Sequence, residues 1–262
     1  MGLIYAIANQ KGGVGKTTTA INLGAFLSEN GQRVLLVDID PQANATSSIG
    51  VDKENIKGGT YEVLIDKAAP EKLILHNPRL HMDLLPANPG LAGASVELVD
   101  AEHREQRLRS GLEKLKDKYD YILIDCPPSL GLLTINGLVA ANDGVIIPVQ
   151  CEYLALEGLG QLVQTLNRIR STVAPQLKIR GVLMTMFDSR TNLSSDVVEE
   201  VRKYFPDQVF DAVITRSVRL AEAPSYGIPI SLYDRNSAGG KAYQAAAKEL
   251  LTKDRVAVPA KL

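Results

Sequence analysis

The chain has no tryptophan, four phenylalanines and two cysteines, and its formal charges nearly cancel. Each shortage excludes something. Cys126 and Cys151 stand at the ends of separate apolar runs with no Cys-x-x-Cys pairing. They read as small buried residues in a reducing compartment, so neither a disulfide framework nor a cysteine-held metal is expected. With 29 basic and 30 acidic side chains, the net charge of −1 supplies no bulk attraction to nucleic acid or to a membrane. Any such contact has to come from a local patch. No apolar run approaches the roughly 18 residues of a membrane span, and the N-terminus enters a strand without a signal-like segment. The expectation is a soluble, cytoplasmic protein. Internal repeats, low-complexity sequence and dividing linkers are also missing, so residues 1–262 read as a single domain long enough to bury a substantial core.

What is present is organised around Asn9-Gln10-Lys11-Gly12-Gly13-Val14-Gly15-Lys16-Thr17-Thr18, between an apolar run, Leu3 to Ala8, and a helical pattern that begins near Thr17. A loop that cradles phosphates needs glycines so that successive backbone N–H groups can point at oxygens. It also needs a lysine to reach the β- and γ-phosphates and a Ser/Thr hydroxyl for Mg²⁺. Gly12, Gly13, Gly15, Lys16 and Thr17 supply those parts. The following helix adds its positive N-terminal dipole and unpaired N–H groups. The usual G-x-x-x-x-G-K-[ST] spacing is not met literally, because Gln10 stands where its first glycine belongs. Instead a second lysine, Lys11, lies five residues before Lys16. Two lysines in one short loop are poorly placed to serve one triphosphate from the same direction, which leaves Lys11 able to reach toward another subunit's phosphates.

Along the chain, Val34–Val37 reads as a second buried strand, so the first 37 residues form a β-loop-α-β unit, the start of a doubly wound α/β fold. That strand ends in Asp38-Ile39-Asp40-Pro41-Gln42, and in such sheets ligands lie beyond the carboxyl ends of the strands. Tyr121–Ile124 is a third apolar run ending in an acid, Asp125, followed by Cys126-Pro127-Pro128. A carboxylate so placed can face a phosphate-bound Mg²⁺ directly or through a water. Further strands are expected at 82–86, 144–149, 179–186, 209–214 and 229–232. Helices are expected over 61–67, 102–118, 156–173, 194–204 (capped by Asn192 or Ser194) and 242–251, with Gly90–Gly93 breaking the pattern between.

The loop resembles the deviant phosphate loop, K-G-G-x-G-K-[ST], of the ParA/MinD class of ATPases, and the match extends along essentially the whole chain. It is closest to the Soj-like branch of ParA, through Asp38–Gln42, Asp125–Pro128, 186–192, Arg216–Pro224 and 229–234. The resemblance implies a mostly parallel, doubly wound sheet of the P-loop NTPase type with ATP and Mg²⁺ as cofactors. It implies an ATP-bound sandwich homodimer in which Lys11 acts across the interface, Asp40 positions or activates the attacking water, and Asp38 supports the Mg²⁺ shell. Val14 and Thr18 complete the phosphate contacts, while Met186, Thr215 and Ser217 fall on the adenine side, where relatives often read I-P-R-N and this chain reads Ile214-Thr215-Arg216-Ser217.

The activity implied is slow ATP hydrolysis coupled to chromosome or plasmid segregation. The dimer would bind nucleoid DNA without sequence specificity, and a ParB/Spo0J-like partner would stimulate hydrolysis and release. Arg190 and Arg219 match family positions implicated in DNA binding, with Arg216 and Lys241 as further candidates. Residues 131–262 hold 15 Lys/Arg against 13 Asp/Glu, whereas residues 1–130 hold 14 against 17, a slight bias that dimerisation would double. A MinD-like membrane-cycling ATPase stays open as an alternative. That role needs a terminal amphipathic basic helix, and the ending Arg255–Leu262 is short and proline-interrupted. An iron–sulfur reductase, a small-molecule ligase and a non-enzymatic nucleotide binder on the same fold are the other readings.

Overall fold

The structure, a computed structural model, describes residues 2–254. The ending Arg255–Leu262 lies outside the described residues. The strands are β1 (Leu3–Ile7), β2 (Val34–Asp38), β3 (Leu75–Asn77), β4 (Met82–Leu85), β5 (Tyr121–Asp125), β6 (Gly144–Gln150) and β7 (Ile179–Thr185). They join in one sheet of order β3-β4-β2-β5-β1-β6-β7, in which only β3 on β4 is antiparallel. Strands β2 and β5 are buried at every position, as expected of parallel strands covered on both faces.

The helices are α1 (Lys16–Glu29), α2 (Asn44–Ser48), α3 (Thr60–Leu64), α4 (Leu91–Glu97), α5 (Arg107–Leu112), α6 (Leu132–Ala140), α7 (Ala155–Thr172), α8 (Asn192–Tyr204), α9 (Val218–Glu222), α10 (Ile230–Tyr233) and α11 (Ala238–Lys253). One core layer packs α1 and α11, with residues of α2, α9 and α10, against one face of the sheet. The other packs residues of α3 to α8 against the opposite face. At the amino ends of the strands, Asp254 accepts hydrogen bonds from Tyr5 (2.8 Å) and Tyr121 (2.9 Å), and the Arg180 guanidinium pairs with it (2.5 Å). This buried network ties the end of α11 to β1, β5 and β7. The carboxyl ends are thereby left to the functional loops.

Several expected elements take a different form. The expected strand at 229–232 is the short helix α10. Pro229 offers no N–H for a ladder, and its carbonyl instead accepts from Leu232 (3.1 Å) and Tyr233 (3.0 Å). The strand expected at 209–214 is reduced to isolated bridges, Val182 with Val209 and Phe187 with Thr215. Between them the N–H groups of Asp211 and Ala212 donate to the Glu249 carboxylate (3.0 and 3.1 Å), which takes them out of the ladder. Gly90–Gly93 opens α4 rather than breaking the pattern, because Leu91, Ala94 and Leu98 bury one face. The single helix expected over 102–118 is shortened to α5 and one 3₁₀ turn, since residues 102–106 turn with His103 at φ 53°. Helix α8 starts at Asn192, two residues earlier than expected, with Thr191 at its N-cap.

Candidate functional site

The phosphate loop begins where β1 ends. Asn9 fixes its entry, donating from its side-chain amide to the Pro148 carbonyl of β6 (2.7 Å) and accepting from the Lys11 N–H (3.1 Å). At the far side the Thr185 hydroxyl, at the end of β7, donates to the Val14 carbonyl (2.9 Å). Gly13 and Gly15 lie at φ 75° and 88°, where a side chain costs about 1–2 kcal/mol. Gly12 is different. Its backbone is not left-handed, and a Cβ built on it meets nothing within 4 Å. No feature of the chain itself requires glycine at that position.

The two lysines have separate environments. Lys16 is buried and its ammonium donates to the Lys11 carbonyl (3.0 Å), inside the loop. Burial lowers its pKa, against the opposing pull of Asp125 and, more weakly, Asp40. Lys11 is about half exposed (48%), and its ammonium pairs with Glu152 in the turn after β6. It therefore makes no use of its own phosphate cradle.

Beside the loop, β2 and β5 bring Asp38 and Asp125 into direct register, and Asp40 lies buried two residues on. Asp38 is already occupied: one oxygen accepts from the Asp40 N–H (3.0 Å), the other from the Thr46 N–H (2.9 Å) and hydroxyl (2.7 Å). Its carboxylate thus organises the turn that carries Asp40. Asp40 in turn accepts from the Gln42 N–H (2.9 Å). The Thr17 hydroxyl donates to one oxygen of Asp125 (2.7 Å), and the other oxygen, Oδ1, is buried without a partner. Burial pushes the Asp125 carboxyl well above its ordinary range, and the Asp38 charge pushes it further. Burial likewise raises Asp38 to about 6, against the Thr46 hydrogen bonds.

An orphaned carboxylate oxygen beside a threonine hydroxyl, in a pocket of excess negative charge, fits Mg²⁺. That ion keeps several waters and needs only one or two protein oxygens besides phosphate. No all-protein cage of three or more His, Cys, Asp or Glu occurs among the described residues. Cys126 and Cys151 are both buried and unbridged. Burial and the Asp125 charge raise the Cys126 thiol well above its ordinary range, so it is a core group rather than a ligand.

The base end is assembled from distant segments. A cavity of about 230 Å³ is lined by Gly15, Thr18, Met186, Thr215, Arg216 and Ser217, among others. Met186 is held at φ 53°, directly before the Phe187–Thr215 bridge. The Thr215 hydroxyl is buried without a hydrogen-bond partner, and the Ser217 side chain, at the N-cap of α9, makes no capping bond. Both hydroxyls are available to a ligand.

The candidate DNA contacts are scattered around that end. Arg190 is held by Asp188 in a two-pronged pair (2.9 and 2.6 Å), and the Arg190 hydrogen bonds, with the Arg216 charge behind them, keep the Asp188 carboxyl well below its usual range. Arg219 pairs with Glu222 (3.0 Å) and lies 3.6 Å from Asp234. Arg216 and Lys241 are exposed. Sequence reasoning missed Asn9, Thr46, Glu152 and Thr185. Asn9 directly follows the apolar run Leu3–Ala8 and Thr185 ends β7, which was the signal available for them; Thr46 and Glu152 carry none.

Residues 2–179 match the family described as AAA domain. The sporulation initiation inhibitor protein Soj of Bacillus subtilis is 56% identical, over 95% of this chain and 98% of that protein. The chromosome-partitioning ATPase Soj of Treponema pallidum is 50% identical, over 97% of this chain and 99% of that one. Among solved structures, a cobyrinic acid a,c-diamide synthase from Mycobacterium smegmatis with bound ADP and magnesium is 41% identical at a TM-score of 0.86, covering 97% of this chain and 96% of that one.

Proposed function

This chain belongs to the Soj/ParA family of chromosome-partitioning ATPases, and we propose that it works as an ATP-driven dimerisation switch on DNA. It is an ATPase that uses ATP and Mg²⁺. The observation that carries the further reading is the asymmetry of the loop. Lys16 is buried within it, Lys11 is turned out to Glu152, and Gly12 answers to nothing in its own chain.

In the proposed mechanism, Lys16 and the N–H groups of Gly12, Gly13, Val14, Gly15, Thr17 and Thr18 hold the β- and γ-phosphates. Thr17 and Asp125 are the protein groups that hold Mg²⁺, which when bound neutralises charge across those phosphates. Thr46 and Asp38 fix the turn from which Asp40 orients water for in-line attack. Lys11, released from Glu152, neutralises the triphosphate of the facing subunit. The closed dimer presents Arg190, Arg216, Arg219 and Lys241 twice over, and each phosphate contact displaces counterions from DNA. A ParB-like partner then stimulates hydrolysis and release, so the protein is cytoplasmic and nucleoid-associated while it holds ATP.

The test is retention on non-specific duplex DNA at one salt concentration, in ATP and in ADP, for the wild type and Lys11→Ala. Retention in ATP alone, lost in Lys11→Ala while ATP affinity holds within about threefold, is the expected result. A Lys11→Ala variant that still dimerises in ATP overturns the role of Lys11. No retention in either nucleotide moves the output away from DNA, toward a MinD-like membrane cycle or the ligase chemistry named for the diamide synthase.

A further inference from the structure

The segment that carries Asp40 and the segment that carries Arg219 are far apart in sequence, yet they meet main chain to main chain. After Asp40 the chain turns through Ala43 (φ 52°) into α2 and leaves it at Gly50 (φ 84°). After Arg219 it runs through α9 and a 3₁₀ turn to Gly227 (φ 65°). A Cβ on Gly227 would lie 2.7 Å from the Gly50 Cα and 3.0 Å from its N. A Cβ on Gly50 would lie 3.2 Å from the Gly227 carbonyl oxygen. The approach is possible only because both residues are glycine, and both are also in the conformation that favours glycine.

A second tie runs beside the first. Asn22 of α1 accepts from the Ile230 N–H (2.7 Å) and donates to the Thr18 carbonyl (2.8 Å), joining the α10 turn to the helix that follows the phosphate loop. Between these ties, the space enclosed by Thr17, Thr18, Ser48, Pro224 and Pro229 is only about 20 Å³, so little free volume is left to absorb movement. The Arg219 side is itself braced: Glu222 receives both Arg219 and the Tyr233 hydroxyl (3.0 Å each), and Tyr226 and Tyr233 stack with centroids 4.9 Å apart. A displacement of the turn after Asp40 has to be transmitted to residues 218–234, because closely packed elements shift together rather than compress.

We propose that the Gly50–Gly227 contact is a positioning joint through which nucleotide at Asp40 sets the placement of the Arg219 segment. The inference rests on the DNA reading above for its output but not for its geometry. The experiment uses Gly227→Ala in the full chain, with Gly31→Ala as the control for strain. Gly31 has φ 83° in the exposed turn between α1 and β2, away from the joint. Both variants should bind ATP like the wild type; Gly31→Ala loses the stability that φ strain alone costs, and Gly227→Ala loses more because its Cβ also displaces Gly50. ATP-dependent DNA retention should fall about tenfold in Gly227→Ala alone. Wild-type retention by Gly227→Ala overturns the joint.

A readout independent of DNA uses the absence of tryptophan. Tyr226→Trp, 66% exposed beside Gly227, places one clean fluorophore on the Arg219 side. Its emission should differ between ATP and ADP, and the difference should vanish when Gly227→Ala or Gly50→Ala is added. An emission that ignores nucleotide, or a difference that survives both glycine variants, overturns the joint even where DNA retention fails for other reasons.

Discussion

The two ends of the nucleotide site are built on opposite terms. The phosphate end comes from short local stretches at the carboxyl ends of β1, β2 and β5, and it holds excess buried charge: Asp38, Asp40 and Asp125 against one buried ammonium, Lys16. The base end comes from residues far apart in sequence, carries one charged side chain, the exposed Arg216, and holds a buried orphaned hydroxyl, Thr215. The difference teaches where specificity and energy are separated. Excess negative charge at the phosphate end is what a bound cation compensates, and under the proposed mechanism it bears on turnover. An unpaired buried hydroxyl at the base end costs about 1 kcal/mol until a ligand satisfies it, and under the proposed mechanism it bears on affinity.

The sharpest way to break that comparison is Asp40→Ala. Hydrolysis should fall by about 10²-fold or more while ATP affinity and ATP-dependent dimers persist; unchanged turnover would remove Asp40 from the chemistry. Gly12→Val tests the same end from outside. Because a Cβ there meets nothing within 4 Å and the backbone is not left-handed, the monomer should melt within about 2 °C of the wild type. Its ATP-dependent dimer, followed by sedimentation, should nevertheless be lost, and normal dimers with normal hydrolysis would show that no subunit closes there.

Thr215→Val probes the base end with two opposite signs. Removing an orphaned hydroxyl should raise the melting temperature of the nucleotide-free chain by about 2 °C, from about 1 kcal/mol. The same change should weaken ATP binding about fivefold to tenfold by calorimetry. Equal affinity would mean that the hydroxyl does not meet the base.

The smallest effect is a dependence on pH. Asp38 is raised from its ordinary 3.8 to about 6, chiefly by burial. Between those values the folded, metal-free chain holds a proton that the unfolded chain has released. The stability from that proton is full below about pH 4 and is lost as pH rises through about 6. A bound cation offsets the loss, so the thermal shift given by Mg²⁺ with ADP should grow by a few °C between about pH 5 and pH 7. A flat shift would mean that Asp38 does not feel the metal.

What could be read without coordinates follows the same division. The placement of the phosphate loop, Lys16, Thr17 and the strand-end acids was legible because it depends on consecutive residues: glycines that turn the backbone, and an apolar run that delivers its terminal acid to a known edge of the sheet. The buried cysteines were legible for the same local reason. The strand expected at 229–232 was not, because its hydrogen bonding was decided by Asn22, more than 200 positions away, which takes the Ile230 N–H. The strand at 209–214 was lost to Glu249 in the same manner.

The amino-acid sequence by itself determined the βαβ start, the phosphate loop with its two lysines, the carboxylates at the ends of β2 and β5, and membership of an ATPase family. The first three are set by periodicity and by main-chain geometry within a few residues, and the family by the resemblance of its motifs. Only the tertiary structure decided that Lys11 rests on Glu152, that Asp38 spends its hydrogen bonds on Thr46, that Thr215 is left unpaired, and that Gly50 and Gly227 touch. Each of these joins residues from separate strands or helices, and their meeting is fixed by how the layers pack on the sheet.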